Sequence, residues 1–395
     1  MRTQAERLKL LLVESGTAVG GTERVVWELA TRLARARWDV RVWLSPAPGV
    51  DEFASALTAR SIPVTRMREV DSRWDWSGMW ATWRRFGRER PDLLHVHHVW
   101  PAADRYLAVL AAAAGVPHLV VTEHIEGRSH SAAQVRLKRR ELGQAEVVTA
   151  VSAAVADSLV SDYGVKRARV RVVPNGAELP DEAAEEAAAR RLREQLGAGA
   201  LRPLWVCAGR LEEQKGQDVL LDALAEVRRR GLGFVAVLAG DGSLRGAFEA
   251  RARALGLEAS VHFPGQVEDL GPLLTAADAV VLPSRWEGLP LVLLEALARA
   301  RPVVASAVGG VPEVVVDGEQ ARLVPPGDPQ ALAEVLEAFH RHPDSALRLG
   351  RRGAARVRES YTWPRVVEAF ESVYDEVLGL ASFTPEDVRA SQAAR

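Results

Sequence analysis

From Leu8 to Leu380, short apolar runs rich in β-branched residues alternate with longer stretches whose apolar positions recur every three or four residues. That alternation predicts parallel α/β sheets, each strand followed by a crossover helix. A first series of strands is expected at 8–14, 40–44, 93–97, 118–122, 146–151 and 170–173, and a second at 204–208, 234–239, 261–264, 279–282 and 302–305. Between them lie the turn Pro174-Asn175-Gly176 and an Ala-, Glu- and Arg-rich segment, 180–200, read as a solvated helix. Near the far end, Val366, Val367, Phe370, Val373, Tyr374 and Val377 fall on one side of an amphipathic helix, 363–380, and the tail from Thr384 is polar. The expected architecture is two doubly wound parallel-sheet units, residues 1–173 and 174–363, facing a central crevice. Open α/β sheets bind ligands outside their strand carboxyl ends, which makes the crevice the expected site.

Composition narrows the class. A chain of 395 residues is too long for one ordinary core. With 51 Lys and Arg against 52 Asp and Glu, the formal net charge of −1 argues against nucleic acid as the main partner. The lone Cys207 excludes an internal disulfide framework or a multi-Cys zinc site and suits a reducing cytoplasm. The polar start, Met1 to Arg7, precedes an apolar run of only strand length, so no signal peptide is expected. No stretch approaches the ~20 apolar residues that span a bilayer, and any membrane contact is expected to be peripheral.

The densest chemistry lies between Ser284 and Ala298, where Glu287 precedes a helix start and Glu295 sits inside an otherwise apolar helix. Such a helix is expected to be buried all round, and a carboxylate within it needs a polar partner. Gly288 leaves the backbone bare, and Pro290 suits the first helical position. Free N–H groups and the positive helix end would then hold a phosphate beside Glu287. A second loop, Gly209-Arg210-Leu211-Glu212-Glu213-Gln214-Lys215-Gly216, follows a strand and opens a helix. Arg210 and Lys215 there suit a diphosphate, against a surface ion-pair loop with Glu212 and Glu213. A third, Gly16 to Arg24, includes the adjacent Gly20 and Gly21, which admit a bound group close to the main chain unless the loop is a plain tight turn.

The G-x-G-x-x-G spacing fails here and again at Gly240, Gly242 and Gly246, which disfavours hydride transfer. Neither a P-loop nor an Asp-x-Asp occurs, so a leaving diphosphate would be neutralised by Arg210, Lys215 and helix dipoles without a metal. His95, His97 and His98 make a weak zinc case, because alternate strand residues lack further ligands. His124 ends the run Val120-Val121-Thr122-Glu123-His124 at a strand carboxyl end, where a histidine taken alone is more often a satisfied structural group than a catalytic one.

Taken together, these motifs resemble the retaining glycosyltransferases of family 4, which have the GT-B architecture and carry Glu-x7-Glu where this chain has Glu287 and Glu295. The resemblance runs from Gly20-Gly21 to the terminal helix. It implies that Glu287 lies against the donor sugar, that Glu295 binds the ribose hydroxyls, and that Arg210 and Lys215 hold the donor phosphates. It further implies that Gly20, Gly21, Gly288 and Leu289 border the donor, that His124 touches the sugar, and that helix 364–380 crosses back onto the N-terminal unit. Ala177-Glu178 departs from the Val-Asp of many relatives after Pro-Asn-Gly.

The expected activity is therefore metal-free transfer of a sugar from a nucleoside-diphosphate donor to an acceptor hydroxyl, with retention at the anomeric carbon and no cofactor. The rivals are a nucleotide-sugar epimerase or phosphorylase of the same architecture and a non-catalytic sugar-nucleotide-binding protein. The acceptor is expected to be a sugar, a small molecule or a lipid-linked group, as in cell-envelope polysaccharide synthesis. Arg128, Arg136, Lys138, Arg139 and Arg140 form a basic cluster that is either a solvated helix face or a contact with an anionic membrane at its inner, cytoplasmic face. Trp74, Trp76, Trp80 and Trp83 either pack on the sheet or add interfacial anchors.

Overall fold

The computed structural model describes residues 7–68, 70, 72, 74–98, 106–126 and 131–380. They form two units: the chain up to Asn175 joined by the helix Trp363–Leu378, and the chain from Gly176 to Thr362.

In the first unit, β1 (Leu8–Glu14), β2 (Trp38–Leu44), β3 (Val64–Arg66), β4 (Leu93–His98), β5 (His118–Glu123), β6 (Val147–Ala150) and β7 (Val170–Val172) pair in parallel in the order β3-β2-β1-β4-β5-β6-β7. Leu10, Leu11 and Leu12 are all buried, as a strand covered on both faces requires. The terminal helix belongs here because its apolar stripe, Val366, Phe370, Val373, Tyr374 and Val377, is buried. Polar bonds fix its register: the Tyr374 hydroxyl meets His95 Nδ1 at 2.7 Å, and Trp38 Nε1 donates to Glu371 at 3.1 Å.

The second unit holds β8 (Leu204–Ala208), β9 (Val235–Ala239), β10 (Val261–Gly265), β11 (Ala279–Leu282), β12 (Val303–Ser306) and β13 (Arg322–Val324), again parallel, in the order β10-β9-β8-β11-β12-β13. Its core includes Trp205 stacked on Phe234, with ring centroids 5.2 Å apart, under Leu220, Leu224 and Leu336. Segment 180–200 forms the helix Glu182–Leu196, started by the Asp181 side chain accepting the Ala184 N–H and ended by Gly197. Two strands fall outside the expected series. Both β3 and β13 are three-residue edge strands, too short to build an apolar run.

Candidate active site

The strand order of the second unit runs away in opposite directions from the β8–β11 pair, so the loops after these strands lie at the switch point of the sheet. They carry Lys215 and Glu287. Glu287 is 4% exposed, and its Oε1 accepts from Lys215 Nζ at 2.6 Å and from Ser284 Oγ at 2.7 Å. Backbone and amide groups stitch the loops together: Gln214 Nε2 donates to the Trp286 carbonyl at 3.1 Å, and the Arg285 N–H donates to the Gln214 carbonyl at 2.8 Å. Arg210 Nη2 donates to Gln214 Oε1 at 3.2 Å, and Gln217 Nε2 holds the Arg210 carbonyl at 2.8 Å. Among the described residues, Lys215 forms no ion pair with Glu212 or Glu213. Lys215 turns to Glu287 instead, and Glu212 accepts from the Ser243 N–H and Oγ.

Two glycines make this approach of loops possible. Gly216 (φ +65°) and Gly309 (φ +51°) adopt the left-handed region, and a Cβ on either would collide with a main-chain carbonyl, that of Pro283 or of Glu287. The Gly310 N–H also donates to the Gly288 carbonyl at 2.7 Å, so the glycine pair after β12 braces the Glu287 loop. Gly309, Ser284 and Gln214 were missed by the sequence reading, although adjacent glycines just before Val311-Pro312 were a usable signal.

The following helix, Leu291–Ala298, corrects two expectations. Pro290 is its N-cap residue, not its first helical one. Nor is the helix buried all round: Leu291, Val292 and Glu295 are half-buried along one face, while Leu293, Leu294, Ala296, Leu297 and Ala298 are buried. Spacings of one and four residues place the open positions together, so Glu295 lies on the half-buried face of the helix and not inside a core. Leu289 is buried ahead of the helix.

In the first unit, Gly20 caps the helix Gly21–Arg32, and both glycines are exposed. The Gly20 N–H is already taken, donating to Glu23 Oε2 at 2.8 Å, which removes one of the donors expected to face a ligand. Gly16 is hemmed in by the buried carboxylates of Glu14 and Glu23, and its N–H donates to Glu14.

His124 follows β5 and is 8% exposed. Burial pushes its pKa down to about 4, and burial pushes His97 well below the ordinary histidine range, so both rings are neutral at pH 7. His124 Nε2 lies 3.2 Å from His97 Nδ1, while His97 Nε2 is buried without a hydrogen-bond partner among the described residues. An orphaned N–H costs more than an orphaned lone pair, which places the His97 proton on Nδ1. His97 then donates to His124 Nε2, and His124 carries its own proton on Nδ1. His95 bonds Tyr374 and, at 2.6 Å, Thr122 Oγ1. His98 joins a buried ion cluster with Glu123, Lys138 and Glu141. Among the described residues, no group of three or more His, Cys, Asp or Glu is arranged to hold a metal. Burial pushes the Cys207 thiol up to about 12, which leaves it inert as a nucleophile.

Comparison with known proteins bears on this arrangement. Residues 19–179 match the pattern described as Glycosyltransferase Family 4, and residues 202–342 match Glycosyl transferases group 1. A D-inositol 3-phosphate glycosyltransferase of Xylanimonas cellulosilytica is 31% identical over 94% of this chain and 97% of its own. The chain belongs to the family 4 glycosyltransferases. A glycogen synthase of Mycobacterium tuberculosis is 28% identical over 90% of this glycosyltransferase and 91% of its own length. The solved structure of Anabaena HepE in complex with UDP-glucose superposes with a TM-score of 0.80, covering 94% of this chain and all of the other at 23% identity, and shares the GT-B fold.

One expected outcome follows from the histidine pair. His97→Leu should lower kcat with little change in KM, because His124 loses the bond that sets its tautomer, whereas His97→Asn keeps a donor at the Nδ1 position and should restore most of the rate. Equal loss in both variants, or an Nε2–H tautomer of His124 in nitrogen-15 NMR of the parent protein, would remove that role.

Proposed function

We propose that this glycosyltransferase moves a hexose from a nucleoside-diphosphate sugar to an acceptor hydroxyl with retention at the anomeric carbon and without a metal. The observation that carries the reading is the Lys215 Nζ to Glu287 Oε1 contact at the switch point of the second sheet, with Arg210 in the adjoining loop. A cation held by a carboxylate is poised for exchange onto a diphosphate, while the freed carboxylate can accept from sugar hydroxyls. The half-exposed Glu295 offers acceptor oxygens for ribose hydroxyls one helical turn further on. The HepE complex supports a UDP-sugar as donor.

As its bond to the sugar breaks, the diphosphate gains charge, and Arg210 and Lys215 stabilise that charge more than they stabilise the bound donor. A neutral His124 with its proton on Nδ1 serves as a hydrogen-bond donor to the sugar and not as an acid. Same-face attack, assisted by the leaving phosphate, fits a site in which the one thiol is inert. Cell-envelope polysaccharide or glycolipid synthesis in the cytoplasm is the proposed setting, with a lipid-linked acceptor. Among the described residues, no helix is long and apolar enough to cross a membrane.

Incubation with UDP-, GDP- and ADP-sugars, followed by NMR of the product anomeric centre, tests the proposal. A ligand at ~100 times its dissociation constant stabilises by about 2.7 kcal/mol, so thermal shift identifies the donor first. Product formed from donor alone would favour an epimerase or phosphorylase. Glu295→Ala should weaken nucleoside diphosphate and nucleotide sugar alike, by roughly tenfold or more. Glu287→Ala should chiefly reduce turnover. Equal loss of nucleotide affinity in both, measured by calorimetry, would overturn the two roles.

A further inference from the structure

The helix Trp76–Glu89 turns the expected packing of its tryptophans outward. Its inner stripe is filled by Thr82 and Phe86, which are buried, and Phe86 packs on Trp43 with ring centroids 4.7 Å apart. Glu89 locks that face by accepting from Trp43 Nε1 at 3.2 Å. The flank beside that stripe carries Trp76, Trp80 and Trp83, 67%, 57% and 45% exposed, with the Trp83 Nε1 donating to the Ala113 carbonyl at 3.2 Å, and Trp74, 67% exposed, stands just before the helix. Spacings of four and three residues put the three helical tryptophans on one stripe. Exposed Arg84 and Arg88 form the stripe beside it, and the Arg84 guanidinium lies 5.0 Å from the Trp80 ring centre.

We propose that this face docks on a membrane surface containing anionic lipid. Water does not account for it, since large apolar rings are left exposed in a contiguous group, not scattered singly. The composition selects the occupant. Indole rings, each an apolar plate with one N–H, suit the headgroup level of a bilayer, where aliphatic side chains would suit a protein groove better. The arginine stripe supplies charge complementary to anionic headgroups on a chain whose formal net charge is only −1. The basic cluster on the helix Ala132–Gln144 is less suited to the task than expected. Lys138 is buried in an internal ion cluster, which leaves Arg136, Arg139 and Arg140 exposed, and Arg128 lies outside the described residues.

The proposal stands independently of the catalytic roles, because none of these residues is assigned one. Co-sedimentation with phosphatidylcholine vesicles, with and without phosphatidylglycerol, reads it without any activity assay. The intact protein should bind the anionic vesicles, less so at high salt, with a blue shift of tryptophan fluorescence. R84Q/R88Q should bind about thirtyfold more weakly, at roughly one factor of five per arginine. W76Q/W80Q should lose both binding and blue shift while keeping the parent unfolding temperature. Absence of binding at low salt overturns the proposal, as does undiminished binding by W76Q/W80Q. So does self-association in solution that W76Q/W80Q abolishes, which would make the face a contact between copies of the chain.

Discussion

Lys138→Met is expected to destabilise the first unit by about 3–5 kcal/mol, because it strips one cation from a sealed cluster and leaves the carboxylates underneutralised. Lys138 Nζ lies 2.6 Å from Glu123 Oε1 and 3.6 Å from Glu141 Oε2, and His98 lies 2.6 Å and 2.9 Å from the same two side chains. Burial and Lys138 press the His98 pKa down, but Glu141 and Glu123 outweigh them and raise it to about 9. Lys138 and His98 thus share two carboxylates. Lys138 Nζ also lies 2.7 Å from His98 Nδ1, and both groups reach the same Glu123 oxygen. Urea unfolding of Lys138→Met, Glu123→Gln and the double variant measures the pairing. The double variant should recover a large part of the loss, since it removes one charge of each sign. A cost under about 1 kcal/mol for Lys138→Met would mean that the cluster is not sealed.

The same residues shape the pH dependence of stability. His95, His97 and His124 have folded pKa values depressed below 6.5 by burial, so the unfolded chain binds their protons first as pH falls. Their stabilisation is present above pH 6.5 and is lost below it, at ~1.4 kcal/mol per pH unit for each histidine. His98 acts in the opposite sense: its contribution is complete below 6.5 and is lost as pH rises toward 9. Glu123, despite burial, is held down to about 2 by Lys138 and His98, and its contribution is lost as pH falls from 4.5 toward 2. The histidines therefore place the optimum near pH 6.5, with the acid limb steeper. A flat profile between pH 5 and 8, by chemical denaturation, would contradict the burial of His95, His97 and His124 and the pairing of His98 with Glu123 and Glu141.

How far these features could be read from the chain depended on the range of the interactions. Central strands such as Leu8–Glu14 and Leu204–Ala208 announce themselves because burial on both faces demands continuous apolar runs. The Glu287 to Glu295 spacing was legible for a similar reason: a local helix carries it. Lys138 was not. It stands in the run Arg136-Leu137-Lys138-Arg139-Arg140, which has the composition of a solvated face, and its partners His98 and Glu123 come from β4 and β5. The tryptophan spacing fixed a helical stripe but not its direction, because the side facing inward was decided by Phe86 meeting Trp43 of β2. The ion pair between Lys215 and Glu287 was equally hidden, since it joins loops 72 positions apart that only the β8–β11 pairing brings together.

That ion pair sets the second large effect: Lys215→Ala is expected to lower kcat by roughly 10²- to 10³-fold, the scale seen when one fixed electrostatic donor to a developing charge is removed. In the proposed reaction Lys215 passes from Glu287 to the departing diphosphate, so its contribution grows toward the transition state and nucleotide affinity should fall far less than the rate. Among the described residues, Glu287 would meanwhile retain only the Ser284 hydroxyl, at 2.7 Å, as a bonded side-chain partner at that oxygen, and part of the loss would arise from a buried carboxylate left without its cation. Comparing Lys215→Ala, Glu287→Gln and the double variant separates the two contributions. If the residues act as a unit, the double variant should be little slower than the worse single one. A saturating rate at the parent level in Lys215→Ala would exclude the role on the leaving group, and strictly additive losses would exclude the exchange between carboxylate and diphosphate.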